Sequence, residues 1–210
     1  MPLTTAQLTT LKADIAANNT TIPAGIPDAG SFVGTAIKNI PVGNTDGAYA
    51  IASWYRQTAS GPFYVLRTDV DVAEIFDQVN WANYTPADAP DSSVTWSNRS
   101  LACQGKQFNL QLLTQGRTVF NASKVTLRAG LNDCTTNLPS GTSGASQSGG
   151  WANILTILRR AASNIEKLFA VQTSGVGTNA GQALGGTTNP ALMNFEGSVT
   201  YQDILNAWNS

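Results

Sequence analysis

Apolar positions recur at helical spacing along most of the chain. Leu8, Leu11 and Ile15 follow Thr4 and Gln7, a pair that can satisfy the free amides of a helix start reciprocally. Asn18 and Asn19 end this helix, and Pro23, Gly25 and Pro27 keep the next stretch irregular. Residues 31–39 read as a second short helix or an extended piece. After Asp46 and Gly47, the residues Tyr49, Ile51, Ala52, Trp54 and Tyr55 predict a compact aromatic helix that ends near Ser60 and Gly61. Residues 63–66 form the best strand candidate. Asp71 with Glu74 is a second capping pair, leading into Ile75, Phe76 and Val79, and Trp81 opens a turn-rich loop over 85–91.

The longer helices come next. Residues 94–115 predict one whose apolar stripe is Trp96, Leu101, Phe108, Leu112 and Leu113, weakened by Gly105. Ser123 is placed to cap another, through Val125, Leu127, Leu131 and Cys134. The clearest periodicity runs through Trp151, Ile154, Leu155, Leu158, Ala162, Ile165, Leu168 and Phe169, which predicts a single helix of about five turns. Two tracts, 140–150 and 173–189, are rich in Gly, Ser and Thr and read as mobile loops. A short strand is expected at 192–195. Thr200 and Asp203 then cap a terminal helix bearing Ile204, Leu205 and Trp208.

These elements predict a mainly α fold, a helical bundle with a few short strands, long flexible loops and a terminal docking helix. Residues 1–171 are expected to form the helical core domain. Residues 172–210 are expected to be a flexible arm ending in a short helix, which docks either on its own core or on a partner. Such a short helix is not stable alone in water, so Ile204, Leu205 and Trp208 are candidate subunit- or partner-docking residues.

Composition changes the picture at the surface. Hydrophobic residues make up 42% of the 210, enough for a sizeable core, but charged residues only 12%. Thr, Ser, Asn, Gln and Gly take their place, and a neutral polar surface repels neighbouring proteins weakly. The 12 basic and 13 acidic residues leave a net charge of −1, with no global field to hold nucleic acid or an anionic membrane. No apolar run approaches the roughly 18 residues of a membrane span, and residues 1–18 lack the pattern of a signal peptide. Cys103 and Cys134 fit no metal spacing and are expected to be buried free thiols.

The chemistry on offer is sparse. There is no histidine, which removes Ser-His-Asp and Cys-His catalysis. The glycine-rich run 175–181 lacks the spacing of a nucleotide fingerprint. Asp69 with Asp71, and Asp88 with Asp91, could act as acid and base or hold a cation, or could serve as capping and turn residues. Arg159, Arg160 and Lys167 could form a basic strip on the long helix, facing phosphate in a DNA channel, or a solvated face. No enzymatic activity, metal or cofactor is expected.

Four stretches carry a family resemblance. They are Asn80-Trp81-Ala82-Asn83-Tyr84 running on to Pro90, Trp96-Ser97-Asn98-Arg99-Ser100 running on to Asn109, Leu127-Arg128-Ala129-Gly130-Leu131 leading to Leu138-Pro139-Ser140-Gly141, and Arg160-Ala161-Ala162-Ser163-Asn164 running on to Ala170. Together they resemble virion proteins of about this length encoded among the head and neck genes of tailed bacteriophages, and in particular the head-to-tail adaptors. The resemblance implies a ring, expected to be a dodecamer, between portal and tail around the DNA exit channel. The implied partners are further copies of the chain, the portal protein, tail or neck proteins and, non-specifically, packaged DNA. The implied location is the virion neck, after synthesis in the host cytoplasm, with no membrane contact. A capsid decoration or cement protein and a tail terminator are the alternatives.

Overall fold

A computed structural model describes residues 2–84, 96–139 and 146–210, with side chains from Leu101 onward in the helix that begins at Trp96. The helices are α1 (Thr5–Ala17), α2 (Thr45–Arg56), α3 (Val72–Asp77), α4 (Trp96–Thr114), α5 (Val125–Thr135), α6 (Trp151–Ile157), α7 (Asn164–Phe169) and α8 (Tyr201–Asn209). The strands are short: β1 (Tyr64–Leu66), β2 (Val70–Asp71), β3 (Val119–Phe120), β4 (Leu138–Pro139), β5 (Ser146–Gln147) and β6 (Arg159–Ala161). β1 pairs with β6, β2 with β3 and β4 with β5. Val70 lies opposite Phe120 and Leu138 opposite Gln147, both in antiparallel register. Helices therefore supply most of the regular structure.

The chain divides into two compact units, each assembled from separated segments. One comprises Met1–Phe63, Ala161–Val171 and Met193–Ser210, and the other Tyr64–Arg160 and Gln172–Leu192. This differs from a core over 1–171 with an arm over 172–210. The expected arm is split: its first part belongs with the second unit and its last helix with the first.

In the first unit, α1 contributes Leu11 and Ile15 to the core, α2 Ile51 and Tyr55, α7 Ile165 and Phe169, and α8 Ile204 and Ala207. Reciprocal capping boxes start three of these helices, at Thr4 with Gln7, Ser163 with Glu166 and Thr200 with Asp203. Gly47 sits where a Cβ would come within 2.4 Å of the Pro41 carbonyl oxygen, so only glycine lets α2 begin against that loop. Residues 31–39 form two 3-10 turns, Gly30–Phe32 and Ile37–Asn39. The buried Tyr55 hydroxyl donates to Asp14 at 2.5 Å, and burial first, then that carboxylate, push its pKa up.

The second unit buries Val70, Ile75, Leu110, Phe120, Leu131, Leu138, Ile154 and Leu158 together. Asp71 caps α3, accepting from the Ala73 amide at 2.8 Å. Glu74 does not complete a box; it accepts from Arg67 at 2.7 Å instead. Lys124, not Ser123, holds the cap position of α5, because Asn121 draws the Ser123 amide into its own turn. Cys103 and Cys134 are buried thiols outside any disulfide, as expected, and burial raises the Cys134 thiol pKa.

The long helix expected over 151–169 does not form. α6 stops at Ile157, residues 159–161 become β6, and α7 starts afresh behind the Ser163 cap. The backbone groups that a continuous helix would use internally bond elsewhere: the Leu158 carbonyl accepts from the Arg67 amide, and the Ala162 amide donates to the Phe63 carbonyl, both at 2.9 Å. The strand expected at 192–195 is also missing, and Ala191 instead forms a parallel bridge with Val65. The loop expected at 85–91 lies outside the described residues. Of the tract at 140–150, residues 146–150 are described, and Ser146 and Gln147 pair with β4.

Candidate functional site

The terminal helix meets its own unit. α8 packs on α1 and α2; Ile204 is buried, Leu205 is partly buried against the same core, and the Tyr201 ring stacks on Tyr49 at 4.3 Å between centroids. Trp208, 39% exposed, is the one of the three proposed docking residues that still faces out. A partner groove is therefore not what holds Ile204 and Leu205.

The basic strip is also dispersed. Arg159 and Arg160 sit on β6 rather than on a helix, and successive strand residues project to opposite faces. The Arg159 guanidinium lies 5.5 Å from the centre of the Tyr64 ring and donates to the Thr187 carbonyl. Lys167 is on α7 in the other unit, with its ammonium 5.5 Å from the centre of the Phe63 ring. The three cations share no helix face, because the helix that would have aligned them is broken.

The glycine-rich tract is anchored rather than loose. Arg128, on α5, is fully buried and donates to the carbonyls of Val176 at 2.8 Å, Ser174 at 2.6 Å and Ala122 at 2.5 Å. Gly175 and Gly177 adopt φ of +90° and +85°, where a Cβ would collide with Val125 or Leu155. Acceptors converge here on a cation. A phosphate cradle needs converging amide donors, so this loop has the opposite polarity. Desolvation lowers the Arg128 pKa, but an arginine remains charged. Further along the same tract, the buried Asn189 side chain bonds Gln172 and the Gln182 carbonyl.

The carboxylates take structural roles. Asp69 accepts from Arg67 at 3.2 Å and Asp71 is the α3 cap, while Asp88 and Asp91 lie outside the described residues. Among the described residues no group of three or more potential metal ligands comes together.

What the second unit does present is an apolar ridge on α4. Three residues of the predicted stripe face outward, Leu101 at 70% exposed, Phe108 at 58% and Leu112 at 51%, while Leu113 packs against the core. The side turned inward carries Cys103, Leu110 and Thr114, and it packs on α5. Both sides of α4 have apolar residues, so periodicity alone did not choose between them, whereas packing on α5 did. Lys106 leans back to bond the backbone carbonyl and the carboxylate of Asp133, leaving the ridge without its charge. An open groove of about 450 Å³ beside Leu112, lined also by Asn109, Leu113, Arg117 and Asp133, widens the surface. Large apolar side chains exposed together mark contact surfaces more often than solvent-facing ones. No protein-family model, curated protein or solved structure matches the chain.

Proposed function

We propose that this chain is a structural protein of a tailed-bacteriophage virion, a head-to-tail adaptor that assembles as a ring between portal and tail around the DNA exit channel. Its work in this reading is binding, not chemistry. The observation that carries it is the exposed ridge Leu101, Phe108 and Leu112 on a chain with few surface charges. Burying apolar surface yields about 25 cal/mol per Å², and a stable interface covers roughly 1,600 Å² in total. A ridge of this kind supplies the apolar centre, and the Thr-, Asn- and Gln-rich surroundings supply a rim with little charge to desolvate. The resemblance of 80–90, 96–109, 127–141 and 160–170 to head and neck proteins is what supports this particle and this position in the reading.

Immunogold labelling of intact virions tests the assignment. Gold confined to the neck is the expected result. Gold spread over the shell would make the chain a cement protein, gold along the tail a tail component, and unlabelled virions would sink the structural reading.

A further inference from the structure

The exposed residues of α4 have an order. Leu101, Gly105, Phe108 and Leu112 are spaced by four, three and four residues, the alternation of a and d positions in a coiled-coil seam. All four are exposed, whereas Cys103 and Leu110, seven residues apart on the opposite side of the helix, are buried, and Leu110 joins the core of the unit. The positions flanking the seam, Ala102, Gln104, Asn109 and Gln111, carry no charge. In coiled coils those flanks usually hold the charges that select a partner and set orientation.

Gly105 is the most informative of the four. Glycine within a helix weakens it relative to alanine, so a reason is expected. Gly47 has one inside its unit, since a Cβ there would collide with the Pro41 carbonyl, whereas a Cβ on Gly130 would make only ordinary contact with the Leu113 methyls at 3.5 Å. A Cβ on Gly105 would meet nothing within 4 Å. Among the described residues, nothing in its own unit requires the missing side chain, and its effect is a notch between Leu101 and Phe108.

The seam is complementary to its own reverse. Laid antiparallel about a two-fold axis midway between Gly105 and Phe108, each Phe108 falls on the notch of the other copy. In the same register each Leu101 meets a Leu112. Large meets small at the centre, leucine meets leucine at the ends, and uncharged flanks meet without repulsion. We infer that α4 is a self-association surface, on which the α4 of a second copy docks antiparallel with its Phe108 seated over Gly105. An isologous contact of this kind closes at two copies. The inference therefore goes beyond the adaptor reading: it describes the protein free in solution, and a ring would need a further, head-to-tail contact.

Sedimentation velocity of the full chain, up to about 100 µM, tests it, since a self-association of ordinary interface strength is populated there. The expected species has twice the 22.1 kDa chain mass. Phe108→Glu should weaken the pair by roughly 100-fold, as the loss of a central anchor does. Because Phe108 is mostly exposed, Phe108→Ser should do the same with the monomer's melting temperature unchanged. Gly105→Leu fills the notch and should weaken pairing by about 10-fold or more. Orientation is read by oxidising a mixture of Leu101→Cys and Leu112→Cys proteins, with the wild type, whose cysteines are buried, as blank. Antiparallel docking yields the mixed disulfide in preference to either homodimer. A wild-type monomer at the highest concentration, a pair indifferent to both Phe108 variants, a pair tightened by Gly105→Leu, or homodimeric cross-links in preference to mixed ones would each overturn the inference. A monomer that still labels the virion neck would remove the seam and keep the adaptor; a dimer absent from virions would do the reverse.

Discussion

Helices α4 and α8 invite comparison because both carry an apolar stripe and the structure uses them oppositely. α8 has nine residues and buries Ile204 and Ala207 between α1 and α2, leaving the edge of Trp208 outside. α4 has 19 residues, yet Leu101, Phe108 and Leu112 remain outside. The short helix at the end of the chain was the natural suspect for docking, but a short helix depends on its own core for existence. The long one is already held by Cys103 and Leu110, so a second apolar face is free to be used elsewhere.

That contrast can be broken or sharpened by substitution. The largest effect is expected at α8: Ile204→Ala should cost about 3–4 kcal/mol, since a fully buried side chain leaves both its transfer energy and a cavity behind. Urea unfolding measures it, and a loss under 1 kcal/mol would mean that α8 is not part of the core. Next is Arg128→Met, expected to cost about 3 kcal/mol because the carbonyls of Ala122, Ser174 and Val176, the first of them buried, lose a charged donor. Limited proteolysis should then cut near Gly175; an uncut tract would show that other contacts hold it.

A smaller effect is expected in alkali. Burial, and then the neighbouring Cys134 and Cys103, push the Tyr84 hydroxyl up to about 12, and it donates to the Cys134 carbonyl at 2.9 Å. A raised folded-state pKa gives stability that is complete below the unfolded value, near 10, and lost as pH climbs from there towards 12. The loss should reach about 2 kcal/mol, and Tyr84→Phe should remove this share of the alkaline slope. An unchanged slope in the variant would point to other groups, Tyr55 first. The smallest effect is a gain: Gly105→Ala should stabilise the unassociated chain by up to about 1 kcal/mol, measured as a higher melting temperature at low concentration. A loss there would reveal a neighbour that the open space above Gly105 does not show.

Local signals carried well from sequence to structure. Thr4 with Gln7 and Thr200 with Asp203 form the boxes their spacing announces, because a capping box needs only four consecutive residues. Ser163 with Glu166 has the same signature and was hidden by the apolar rhythm running over it. A three-residue strand moves the phase of a helical stripe too little to show, and the partner that makes β6 a strand, β1, lies nearly a hundred residues earlier. Arg128 gave no sign of its role in the sequence, because its acceptors are backbone carbonyls from a tract that composition marks as loose.

The sequence by itself determined where helices can start, that the cysteines suit a core, and that no histidine is available for chemistry. Only the tertiary structure decided which stripe of α4 is buried, where the helix through Arg159 and Arg160 breaks, and what anchors the glycine-rich tract. The physical reason is the same in each case. Caps and propensities act over a few neighbouring residues, whereas the face a helix buries and the partner a carbonyl finds depend on segments far away in the chain.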